Sequence, residues 1–338
     1  MASQQIQPEI KPTTIFRHAY AVYPPMAMLA GMQLDVFTPL KDGPMAATAL
    51  ADALDMRPEK LRPLLYALVL AELLTVEGDR FANTPEADTY LVRGRATYMG
   101  SVHELYSDLW ATALKTAQSV RVGTPQAKHD FATMSDDELG AFFRGQHAGA
   151  LAAGTELAKM HGFDRFRSLL DVGGGSGGLA IAACQCCPDL GATIIDLPRV
   201  APIARSFVHE AKLTNRVQVL SGNVVEGPPE GRFDVVVFRH LIQVLGPDQA
   251  RRALRNVSEA MAPGGTLFVV GHLLEDSRLS PTPAVAMNLV FLSIYDDGQA
   301  YTEGDYRTWL AQAGLSVIDM QYGAARGGAS IIAARKTE

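Results

Sequence analysis

The sequence predicts two parts: an all-helical, winged-helix-like domain in the N-terminal third and a doubly wound α/β domain after His161. Three observations carry this. Before position 100 the apolar residues keep helical spacing and end on two short extended pieces around Gly78-Asp79. After His161, short apolar runs rich in Val and Ile alternate with helical segments. The first of those runs then enters the glycine turn Gly173-Gly-Gly-Ser-Gly-Gly.

Taken in order, residues 1–13 are polar, contain Pro8 and Pro12, and are expected to form a flexible arm. Thr14 to Phe37 is spaced as a helix, with Met26, Met28, Leu29, Met32 and Leu34 crowding its second half. A short amphipathic helix is expected over 48–54 and a longer one over 58–74, with Pro58 suited to its first turn. Thr75 to Phe81 gives the two extended pieces, and this domain is assigned to 14–110. Residues 111–160 read as a helical connector; the helices foreseen around it are His103 to Lys115 and Asp136 to Met160. In the α/β domain, 161–338, five strands begin at Ser168, Ala192, Val217, Phe233 and Gly265. A terminal hairpin is expected from 316–320 and 329–334.

Composition sets outer limits. A chain of 338 residues, 48% hydrophobic and 20% charged, can bury two cores and is too apolar for a disordered tract. No stretch is long and apolar enough for a membrane span, and Pro24 and Pro25 break the best N-terminal run, so no secretory leader is expected. Cys184, Cys186 and Cys187 sit together with no partners elsewhere, which fits a reducing cytoplasm. Cys184 and Cys187 share a helix face, yet no second pair completes a zinc site, and no metal is expected. The net charge of −6 opposes binding to nucleic acid through phosphates. The winged-helix pattern does not reverse this. Residues 1–110 carry nine Lys and Arg against thirteen Asp and Glu, and the helix that would read DNA is apolar beyond Lys60 and Arg62.

The glycine turn ends one strand and opens a helix, so its backbone can approach a ligand while unpaired N–H groups face it. Asp196 ends the next strand, 19 residues after Gly177, where a carboxylate can accept from ribose hydroxyls. Gly173, Gly175 and Gly178 fit a dinucleotide spacing; Gly173, Gly175 and Gly177 fit S-adenosyl-L-methionine. Asp171, two residues before the first glycine, would repel a pyrophosphate and suits the amino group of a methionine moiety. The sheet is therefore expected to be Rossmann-like and to hold S-adenosyl-L-methionine.

Leu169–Gly178, Ile194-Ile-Asp-Leu-Pro, Ser221-Gly-Asn, Phe233–His240 and Met261-Ala-Pro-Gly-Gly resemble, in order, the motifs of S-adenosylmethionine-dependent O-methyltransferases of the caffeate and bacterial natural-product type. The N-terminal part resembles that family's dimerisation domain, which implies a homodimer acting on a small-molecule substrate. By this resemblance Gly173 and Gly175 approach the methionine part, Asp196 holds the ribose and Leu197 flanks the adenine. Asn223 stands where the family commonly has an aspartate, and Asp171, Val224, Phe238 and Arg239 complete the cofactor set.

One part of the family pattern is missing. The O-methylating members carry a histidine base after the fourth strand; here that position is Gln243. The glutamate that orients the base is replaced by Ala300. A phenol, with a pKa near 10, needs a base at neutral pH, whereas a thioether sulfur has no proton to lose. The sequence is in this respect similar to the methylthiohydroxybutyrate S-methyltransferases of dimethylsulfoniopropionate synthesis. Arg144 and His147 are then candidates for a substrate carboxylate, and Tyr106, Trp110, Phe142 and Tyr295 for an aromatic wall beside sulfonium charge. Met287 and Asn288 lie on a helix that faces substrate in the relatives. Two other readings stay open: O-methylation with His240 or His272 as a relocated base, and S-adenosylmethionine chemistry without methyl transfer.

Overall fold

The computed structural model describes residues 10–95, 97–128, 131 and 133–337, with the side chain of Arg326 excepted. Packing divides the chain into two compact units, Met1–Asp108 and Leu109–Glu338. Of the arm expected over 1–13, residues 1–9 lie outside the described residues.

In the first unit the helical spacing over 14–37 resolves into two helices, α1 (Thr13–Tyr20) and α2 (Tyr23–Gln33). Pro24 and Pro25 have no N–H to give a preceding turn, so they occupy the first turn of a new helix and force the break. A two-residue strand β1 (Met45–Ala46) leads into α3 (Ala47–Ala53), and α4 (Pro58–Leu70) follows. The helix expected to reach Leu74 stops at Leu70, because Glu72 takes a left-handed φ of 60° and Leu74 starts a strand. The hairpin is β2 (Leu74–Glu77) and β3 (Arg80–Asn83), with β1 added on the far side of β3, and α5 (Pro85–Tyr90) closes the motif. Leu61, Leu65 and Leu68 of α4 are buried with Phe37, Leu50 and Phe81, so the apolar face of α4 is core.

Helix α6 (His103–Ala113) crosses the division between the units; α7 (Thr116–Val122) and the long α8 (Asp136–Met160) belong to the second. Ser135 starts α8 with a capping box: its hydroxyl accepts from Glu138 N–H, and the Glu138 carboxylate accepts from Ser135 N–H. The sheet follows as β4 (Ser168–Val172), α9 (Gly178–Cys186), β5 (Gly191–Asp196), α10 (Ala201–Glu210), β6 (Val217–Ser221), β7 (Phe233–Arg239), α11 (Pro247–Ala260) and β8 (Met261–Gly271). Short β9 (Leu273–Leu274), α12 (Thr282–Ile294), β10 (Tyr301–Thr302) and α13 (Glu303–Gln312) precede the terminal hairpin of β11 (Leu315–Ala325) and β12 (Ala329–Lys336).

The seven strands are ordered β11-β12-β8-β7-β4-β5-β6, with β8, β7, β4, β5 and β6 parallel and β12 antiparallel to both neighbours. The chain runs outward from β4 through β6, then returns to place β7 on the other side of β4. That reversal opens a crevice at the carboxyl ends of β4 and β7, the usual ligand position in such sheets. Two buried clusters, one on each face, fix the register. One holds Leu169, Ile194, Val237 and Phe268; the other holds Val172, Val236, Phe238 and Ile332. Among the described residues no helix is long and apolar enough to cross a membrane.

Candidate active site

Strand register brings the chemistry to one edge. Val172 pairs with Ile195 and Phe238, Asp196 with Ser221, and Arg239 with Val270. The glycine turn, Asp196, Asn223, Arg239 and His272 therefore all follow carboxyl ends of neighbouring strands. Gly173, Gly175 and Gly177 have φ of 64°, 59° and 72°, where a side chain costs about 1–2 kcal/mol. A Cβ on Gly173 would stand 2.8 Å from Leu241, and one on Gly175 2.9 Å from the Phe143 ring. Bare backbone at this edge fits the close approach of an adenosylated ligand, while the Gly173, Gly175 and Gly177 N–H groups are given to the Ile195 carbonyl, Asp196 and the Gly174 carbonyl.

Two carboxylates brace the turn. Asp196 accepts from the N–H of Gly175 and of Leu197, both at 2.7 Å. Asp171 is 1% exposed and accepts from Ala180 N–H at 3.3 Å. Burial pushes its carboxyl up to about 7, with the Ala180 bond and the Arg239 charge pulling the other way. Burial also raises Asp196, against its two N–H bonds, and lowers Arg239, against the charge of Asp171. Leu197 is 41% exposed, as a face for a flat ring requires. The Asn223 carboxamide accepts from Val225 N–H and donates to Glu226. Val224 and Phe238 are core side chains that offer a ligand only their backbone.

Beside this edge, Gln243 sits in a 3₁₀ turn after β7 and is 6% exposed. Its Oε1 accepts from His272 N–H at 3.2 Å. A Cβ on Gly271 would lie 2.9 Å from that oxygen, so the missing side chain there makes room for the carboxamide. His240, three residues before Gln243, holds a left-handed φ of 55°. Burial, the Arg239 charge and His272 push its imidazole down to about 3, against the pull of Gln243. Burial also lowers His272, whose Nδ1 is enclosed with no hydrogen-bond partner among the described residues. Ala300 is fully buried, and its N–H donates to Asn288 Oδ1 at 2.7 Å. Gly298 lets this segment touch the Gln243 turn, since a Cβ there would lie 2.4 Å from the Gln243 carbonyl oxygen.

An O-methyltransferase domain model matches residues 117–316, and an O-methyltransferase dimerisation domain model matches 16–93. The chain belongs to the O-methyltransferase family. This family member is an enzyme, a methyltransferase, with S-adenosyl-L-methionine as its cofactor. It is 28% identical to the tetracenomycin 8-O-methyltransferase TcmO of Streptomyces glaucescens, over 91% of this chain and 92% of that one. It is 27% identical to the N,N-dimethyltransferase OxyT of Streptomyces rimosus, over 94% of each. The human N-acetylserotonin methyltransferase, solved with S-adenosylmethionine, superposes with a TM-score of 0.78 at 22% identity, covering all of both chains, and shows the same fold.

The remaining residues of the methyltransferase singled out from sequence are spread more widely. Arg144 is exposed on α8, while His147, one turn on, faces the glycine turn, with Nδ1 2.9 Å from Ser176 Oγ. Phe142 packs with Phe131 and Phe143. Tyr295 lies against Phe291 with the two rings tilted by 33°, and burial pushes its phenol up to about 12. Asn288 ties α12 to Ala300, and Met287 packs beside Phe291. Trp110 and Tyr106 lie on α6, Tyr106 within the first unit. Sequence reasoning did not single out Phe143, Ser176, Phe207 or Gly271. The spacing of Phe143 and His147, four apart on one helix, was the available signal for the first.

Proposed function

We propose that this methyltransferase works without a general base, on a small acceptor whose reacting atom has a lone pair at neutral pH. The favoured acceptor is the sulfur of a methylthio acid such as 4-methylthio-2-hydroxybutyrate, the substrate of a step in dimethylsulfoniopropionate synthesis, and the enzyme is a homodimer. The observation that carries the reading is Gln243. The side chain at the base position is a buried carboxamide, which cannot take a proton and is already engaged by His272 N–H.

S-adenosyl-L-methionine, when bound, supplies an electrophilic methyl on a sulfonium and departs as S-adenosyl-L-homocysteine, and a thioether can receive that methyl with no proton to remove. The protein's contribution is then alignment and exclusion of water. Asp196 and the glycine turn hold the adenosyl end, and Asp171 and Arg239 shape the methionine end. Phe291 and Tyr295 give faces that tolerate positive sulfur, with the Tyr295 phenol neutral. Arg144, exposed beside Phe143, is the proposed cation for the acceptor carboxylate.

O-methylation is the second reading, favoured by the Nδ1 of His272, unpartnered among the described residues, and by the activity in the name of TcmO. Mass spectrometry separates the two. Purified protein with S-adenosyl-L-methionine is given 4-methylthio-2-hydroxybutyrate, a phenol and catechol panel, or an amine panel. Methylated thioether with equimolar S-adenosyl-L-homocysteine supports the proposal. Methylated phenol with untouched thioether overturns it and makes His272 the base to test.

A further inference from the structure

We infer that His147 is a positioning residue for the cofactor: through Ser176 it holds the glycine turn in the shape that receives S-adenosyl-L-methionine. The inference rests on the cofactor lying at that turn and is independent of the acceptor.

The turn cannot hold itself. Its three left-handed residues are glycines, which lose more backbone freedom on ordering than any other residue. From the sheet side Asp196 fixes Gly175, and Asp171 fixes the start of α9. From the other side α8 lies along the turn. Phe143 meets Gly175, and Ala150 stands 2.8 Å from where a Cβ on Gly178 would be. Between them, one turn of α8 on from Phe143, His147 makes a polar bond to the tip of the turn.

Three features make that bond a clamp. Ser176 is 3% exposed, so water is poorly placed to replace a lost partner for its hydroxyl. The imidazole is itself fixed, stacked on Phe207 of α10 with centroids 4.0 Å apart and planes 19° from parallel. Burial lowers its pKa, against the pull of Glu210, which favours the neutral ring whose Nδ1 can accept the Ser176 O–H. One ring thereby ties α8, the glycine turn and α10 together. With Nδ1 committed to Ser176, only the Nε2 edge of the ring is left for a substrate carboxylate.

Calorimetric titration with S-adenosyl-L-methionine tests the clamp in His147→Phe, His147→Gln, Ser176→Ala and the double variant His147→Phe/Ser176→Ala, each with a melting curve of the cofactor-free protein. His147→Phe keeps the stack and loses the bond; His147→Gln keeps a polar partner. We expect His147→Phe and Ser176→Ala each to bind about ten-fold more weakly. The double variant should be no worse than either single, and His147→Gln should recover to within about three-fold. The cofactor-free variants should melt only a few degrees lower, as the loss of one buried bond requires, while the affinity loss persists well below each melting transition; a merely structural role would leave affinity unchanged there. Wild-type affinity in His147→Phe and Ser176→Ala overturns the clamp, as do losses that multiply in the double variant. A wild-type protein that does not bind the cofactor overturns the placement on which the clamp rests.

Discussion

Replacing Gln243 with alanine distinguishes a carboxamide that supports the site from one that takes part in chemistry. The side chain is 6% exposed and its oxygen accepts from His272 N–H at 3.2 Å. Removing it strands that N–H in the interior, at about 1–3 kcal/mol, and the lost methylene leaves a gap worth roughly another 1 kcal/mol. Urea unfolding of Gln243→Ala should therefore show a loss of about 2–4 kcal/mol. Turnover should respond much less. Removing a general base costs about 10²–10⁴-fold, whereas a residue that moves no proton should cost less than about ten-fold in kcat on a thioether acceptor. Stopped reactions at saturating cofactor and acceptor, below the melting transition of the variant, give kcat directly. A folded Gln243→Ala protein with kcat down about a hundred-fold would refute the reasoning.

Three further outcomes follow from the same geometry. Asp196→Ala removes the acceptor for the Gly175 and Leu197 N–H groups and should weaken S-adenosyl-L-methionine binding at least about ten-fold by calorimetry; unchanged affinity would contradict the placement of the cofactor. Gly177→Ala forces a side chain to φ 72° with its Cβ 2.5 Å from buried Ile194, and should cost about 2–5 kcal/mol in urea unfolding; a loss under about 1 kcal/mol would mean the turn is looser than described. Burial raises the Asp171 carboxyl from 3.8 to about 7, so between those values the folded chain keeps a proton that the unfolded chain has released. Stability should then fall as pH rises through that window, by up to about 1.4 kcal/mol per unit. Asp171→Asn should lose this slope and gain on the wild type near pH 7; parallel pH profiles for the two proteins would show that the carboxyl does not titrate there.

The parallel strands were legible because strands covered on both faces read as apolar runs: Ser168–Val172 begins and ends where the pattern did. Helix α8 was equally plain, since Ser135 and Glu138 announce its start. The break between α1 and α2 was not, because apolar spacing continues through Ala21 and Val22 and only the prolines mark the new helix. The two-residue strand β1 carries no pattern of its own and exists by pairing with β3. The cluster of strand-end residues proposed for the cofactor was readable as a cluster because its members follow strand ends in short contiguous strings. The other side of the site depends on which way side chains turn. Arg144 and His147 are three apart on one helix, yet one is exposed and the other meets Ser176. Gly271 matters through an absent side chain that gives Gln243 its room, and His240 takes a left-handed φ with nothing nearby in sequence to announce it.

The claim that methyl transfer here needs no base is tested most directly by the pH dependence of a single turnover. Enzyme saturated with S-adenosyl-L-methionine is mixed with excess 4-methylthio-2-hydroxybutyrate from about pH 6 to 9, and S-adenosyl-L-homocysteine is followed in time. A thioether has no proton to lose and Gln243 none to take, so the rate should stay within about two-fold across the range. A rate that climbs about ten-fold per pH unit to a plateau would report an ionisation that activates the acceptor, and would contradict the account.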